Sequence, residues 1–68
     1  MTPAERRLIS MVDPLTVIRT AARNASEELA AGDVVAVSRE VAAIRRAAAT
    51  LNQMLNKTIE STRTEARR

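Results

Sequence analysis

The side chains that usually carry covalent chemistry are absent from this chain. It has no His, no Cys and no Tyr, which removes the commonest general base, the thiolate nucleophile and most transition-metal ligands. The acidic residues Glu5, Asp13, Glu27, Glu28, Asp33, Glu40, Glu60 and Glu65 are scattered, with no arrangement that pairs two of them for acid–base work. A single Gly leaves no glycine-rich phosphate loop. No independent active site is expected, and neither a metal nor a cofactor.

What remains as recognition chemistry is arginine. Ten Arg stand against one Lys, in a chain of net charge +3. Guanidinium groups suit forked contacts to phosphate or carboxylate, although the codon usage of a GC-rich genome produces the same bias and is the expected cause. Arg19, Arg23, Arg39, Arg45 and Arg46 are the candidate partner-binding residues: together they would form a basic strip for an acidic protein or for nucleic acid phosphates. Glu27, Glu28, Asp33 and Glu40 fall in the same half of the chain, and no aromatic residue is available to stack on bases. A solvated face is therefore the expected reading, with nucleic acid the less favoured partner. A second group joins Arg6 and Arg7 to Lys57, Arg63, Arg67 and Arg68, with Glu5, Glu60 and Glu65 among them. There the expectation is a frayed basic tail over residues 63–68.

The elements that must position these groups are helices. The chain has 68 residues, 46% of them hydrophobic and none aromatic, with one Gly and two Pro. That is one domain, near the size at which a single core barely offsets chain entropy. Sheets draw on aromatic residues and frequent turns; helical bundles need neither. Thr2-Pro3-Ala4-Glu5 reads as a capping box, and Asp13-Pro14 as a second cap and first-turn pair. Gly32-Asp33 supplies a left-handed residue to end one helix and a carboxylate to cap the next. The expected layout is a first arm over about 3–31, a turn at 32–33 and a second arm over about 34–62. The first arm should be kinked or broken near Pro14.

Apolar residues recur at alternating spacings of four and three. In the first arm these are Leu8, Met11, Leu15, Ile18, Ala22, Ala25 and Leu29. In the second they are Val34, Val37, Val41, Ile44, Ala48, Leu51 and Leu55. Such series mark helices packed at a shallow angle, and they are the expected core and oligomer stripe. Val12, Ala21, Ala47, Met54 and Ile59 widen them. A two-helix unit leaves so wide a face partly uncovered, so self-association into a helical bundle is expected.

In length, turn position and heptads the chain resembles the helical-hairpin plasmid copy-number regulators, which dimerise into four-helix bundles. Their RNA binding uses an exposed Phe that this chain lacks. Ser38-Arg39-Glu40-Val41-Ala42 is faintly similar to the Ser-Gln-Glu-Leu-Asp signature of the helical-hairpin phosphatases that act on sporulation response regulators. The essential Asp of that signature is Ala42 here, so the resemblance implies no phosphatase activity.

No opening basic-then-apolar stretch suggests a signal peptide, and no uncharged run of 18 apolar residues suggests a membrane span. A cytoplasmic location is the simplest expectation. The leading functional expectation is a non-enzymatic, homo-oligomeric protein–protein interaction module, such as an antitoxin or antiactivator. The alternatives are a nucleic-acid-binding regulator and a small non-catalytic subunit of a larger complex.

Overall fold

The structure is a computed structural model and describes residues 2–66. Among these residues lie three α-helices and no strand: α1 Pro3–Ser10, α2 Val12–Ala30 and α3 Val34–Ala66. The chain is all-helical, as its composition requires.

Each boundary has a local cause. Thr2 is extended, and its Oγ1 accepts the Glu5 N–H at 3.2 Å. Pro3 takes the first helical position, where an amide would have no partner in any case. At Met11 the helix breaks without leaving helical backbone angles (φ −68°, ψ −16°). The Met11 N–H lies 3.2 Å from the carbonyls of both Arg7 and Leu8, and the Leu15 N–H reaches back to Met11 O at 3.2 Å. α1 and α2 therefore form one interrupted arm. The interruption sits three residues before Pro14, because Pro14 cannot donate to the Ser10 carbonyl and its ring crowds it. Restarting at Val12 puts Pro14 in the first turn of α2, where a missing amide costs little. The Asp13 cap expected from the sequence is not used: Met11 is the N-cap, without a side-chain bond, and Asp13 lies inside the first turn. Its carboxylate there still favours the positive end of the helix dipole.

The turn closes as Gly32 dictates. With φ +75° it is the one positive-φ residue among those described. Its N–H donates to Leu29 O at 3.0 Å, and the Asp33 N–H donates to Glu28 O at 2.9 Å. This double bond pattern ends a helix in a left-handed residue. Asp33 Oδ1 then accepts the Ala36 N–H at 3.1 Å and caps α3. α3 continues to Ala66, past the expected boundary at 62, so residues 63–66 are helical. Arg67 and Arg68 of the expected tail lie outside the described residues.

α2 packs along α3, and α1 continues beside the far part of α3, where the Arg7 guanidinium donates to Ser61 Oγ. The resulting slab measures 55 × 19 × 11 Å. Its radius of gyration is 16.0 Å, against about 11 Å for a compact domain of this length.

The seam between the arms differs from the single stripe expected. Met11, Pro14, Ile18, Ala21, Ala25 and Glu28 are buried or half-buried, as are Val37, Glu40, Ile44, Ala47, Leu51, Met54 and Thr58. Six of the expected residues belong to this inner series: Met11, Ile18, Ala25, Val37, Ile44 and Leu51. The other eight, Leu8, Leu15, Ala22, Leu29, Val34, Val41, Ala48 and Leu55, are exposed, and the residue one position earlier takes the inner place in most cases. In the seam small residues alternate with large ones: Ala21, Ala25 and Ala47 stand among Met11, Ile18, Ile44, Leu51 and Met54, the interdigitation that close packing favours. The buried apolar set is correspondingly small: Met11 at 5%, Ala21 at 4% and Ala47 at 8% exposure.

Candidate interaction surface

The eight outward-facing residues gather on one side of the slab. On the opposite side the arms share two long hollows. Asp13 and Val17 of α2 meet Ala43, Arg46 and Thr50 of α3 in one; Thr20 and Asn24 meet Glu40 and Ala43 in the other. Further along, Ser10 and Lys57 lie on that same side. Leu8, Leu15, Ala22 and Leu29 each follow an inner residue by one helical step of about 100°, which turns them away from those hollows. Val41, Ala48 and Leu55 stand in the same relation to Glu40, Ala47 and Met54 of α3, and Val34 lies one heptad before Val41. Val12 and Ile59 extend the two rows. Both arms thus present aliphatic side chains to one face, with Leu29 67% and Val34 73% exposed.

The size of the open surface is telling. A compact monomer of 7.4 kDa exposes about 4,200 Å², whereas this chain exposes 5474 Å². The excess, about 1,300 Å², is more than one side of a standard protein interface, about 800 Å².

The arginines are not assembled into the strip that the sequence suggested. Arg19 and Arg23 share a hollow with Thr16 and Thr20 on the outside of α2. Arg45 and Arg46 share another with Ser38, Val41 and Ala42 on the outside of α3. Arg39 lies one heptad before Arg46, on its flank. All five are exposed, but they are divided between the arms: Arg19 and Arg23 stand on α2, Arg45 lies beside Val41 of the aliphatic face, and Arg46 also lines the first hollow on the opposite side.

The charged groups that sequence reasoning missed are in the seam. Glu28 and Glu40 occupy inner positions near the turn. Glu28 Oε2 is shielded from solvent and has no hydrogen-bond partner. Desolvation raises the Glu28 pKa above the usual carboxylate value, and the charges of Glu40, Asp33 and Glu27 add to the shift. A signal existed: the spacing Arg7, Pro14, Ala21, Glu28 is a strict seven-residue repeat, but charged residues at both ends conceal it from any search for apolar stripes.

Among the described residues no group of three acidic or other ligating side chains could hold a metal ion. No helix among them is long and apolar enough to cross a membrane. Compared with protein-family models, curated proteins and solved structures, the chain finds no match.

Proposed function

We propose that this chain is a non-enzymatic helical hairpin that self-associates into a bundle and works as a protein–protein interaction module, in the manner of a small regulator such as an antitoxin or antiactivator. One observation carries the proposal: the largely aliphatic face formed by Leu8, Val12, Leu15, Ala22 and Leu29 on the first arm and Val34, Val41, Ala48, Leu55 and Ile59 on the second, with Arg19, Ser26, Arg45 and Asn52 set among them. Exposed apolar patches of this extent mark association surfaces. The alternative of nucleic acid binding draws less support, because the arginines are divided between the arms and no aromatic side chain accompanies them.

Light scattering tests the module reading. A mass of a dimer or larger is expected at micromolar concentration. Leu15 and Val17 are equally exposed within one chain, at 50% and 47%, but Leu15 lies on the aliphatic face and Val17 on the opposite side. Leu15→Asp should therefore dissociate the assembly, and Val17→Asp should leave it intact. A folded monomer in the wild type, or equal behaviour of the two variants, removes the proposal.

A further inference from the structure

The face and the distribution of charge together say how a second copy would sit. Between residues 24 and 41, at the turn end, Glu27, Glu28, Asp33 and Glu40 stand against Arg39 alone, a net charge of −3. The opposite end has the reverse sign: among the described residues Arg6, Arg7, Lys57 and Arg63 outnumber Glu5, Glu60 and Glu65 by one, and Arg67 and Arg68 follow in the sequence. The slab is therefore an electrical dipole about 55 Å long. From this we infer that the aliphatic face is covered by a second copy of this chain in antiparallel orientation, each turn lying over the partner's open end. The inference rests on the self-association proposed above and adds its direction.

Three observations converge on it. First, a copy laid antiparallel sets each acidic turn on a basic end, whereas a copy with both turns together places like charges side by side at both ends. Such juxtaposition disfavours an arrangement even when single exposed pairs contribute little. Arg19 and Arg45 lie near the middle, close to the two-fold axis in either arrangement, and do not discriminate. Second, the two rows share one centre. The first runs from Leu8 to Leu29 and the second from Val34 to Ile59, so their midpoints fall beside Ile18 and Ala47, at the level where Val17 and Ala47 line one hollow. A single two-fold axis across the helices at that level superposes both rows on their copies. Each arm then lies over its own copy, with Leu15 opposite Ala22 of the second copy and Leu8 opposite its Leu29. Third, the surplus exposed surface, about 1,300 Å² per chain, is of the order that such a face-to-face dimer removes.

Pulsed electron–electron resonance on spin-labelled full-length chains decides the direction. Ala31 in the turn and Thr64 near the other end are both exposed, and neither belongs to the aliphatic rows. With labels on Ala31→Cys alone, the antiparallel dimer gives a separation of about 40 Å, from roughly 12 residues on either side of the axis at 1.5 Å each. Ala31→Cys and Thr64→Cys chains, mixed in denaturant and refolded together, should yield an additional distance below about 25 Å. A short Ala31–Ala31 distance, with the mixed pair far apart, overturns the antiparallel arrangement and leaves the module reading intact. A monomeric mass overturns both. Either label position alone reports the direction, so one variant that fails to fold does not prevent the test.

Discussion

At Glu28 the needs of the seam and of the charge conflict. The side chain occupies an inner position, its Oε2 is shielded and unpaired, and three further carboxylates stand nearby. A pKa raised in the folded state means that the native protein binds more protons than the unfolded chain in the window between the two values. Stability from this group is therefore fully present below the ordinary Glu value, about 4.3, and is lost as pH rises through the raised one. Glu28→Gln should raise the melting temperature at pH 7, with the gain shrinking to nothing in melts run below about pH 4. A gain that does not depend on pH would place the cause in packing rather than ionisation. Gly32 carries a second residue-scale prediction. No atom lies within 4 Å of where a Cβ would stand, yet φ is +75°, so the cost of Gly32→Ala is confined to the backbone and should be about 1 kcal/mol. Gly32→Asn should cost less, because Asn tolerates the left-handed region; chemical denaturation of the pair measures the difference.

At the scale of elements, Pro14 and the alanine seam repay attention. The Pro14 ring is buried, lining a hollow with Val17 and Ala47, in a helical turn that suits its fixed φ. Pro14→Ala restores a donor for the Ser10 carbonyl but loses that packing and frees the unfolded chain. A net loss of about 1 kcal/mol is expected in urea melts, on the scale of such backbone effects. Ala47→Leu should cost about 1–3 kcal/mol by forcing the arms apart, while Ala49→Leu, exposed two residues on, should be nearly neutral. Equal effects would refute the seam assignment. The helix boundaries were readable from Thr2-Pro3 and from Gly32-Asp33 because those residues act on the backbone next to them. Asp13-Pro14 misled because a proline tolerated in a first turn can occupy more than one place in it, and here the helix restarted two residues earlier. The division of the apolar residues into inner and outer rows was not readable. Apolar pattern alone cannot tell which of two adjacent rows a helix turns toward its neighbour; Ala21 and Ala47, on the flanks of the apolar stripes, stand in the seam beside Ile18 and Ile44.

For the whole molecule, the five candidate arginines show the limit of reading charge from sequence. Arg19, Arg23, Arg39, Arg45 and Arg46 are near one another in number, but they are divided between the two arms. Only the end-to-end separation of acid from base survives folding as a feature of the whole slab. If association covers the aliphatic face, the melting temperature should rise with protein concentration, and differential scanning calorimetry over a hundredfold dilution series measures the slope. A midpoint independent of concentration would mean that one chain is stable alone. The open face also bears on abundance. A chain with few well-buried apolar residues among those described that folds fully only against its own copy exists at low concentration as a substrate for proteolysis. Its steady-state level should then respond to synthesis more steeply than in proportion, with most of each small increment degraded until copies meet faster than they are destroyed. Gene dosage, in that case, sets a threshold for the presence of this protein as well as its amount.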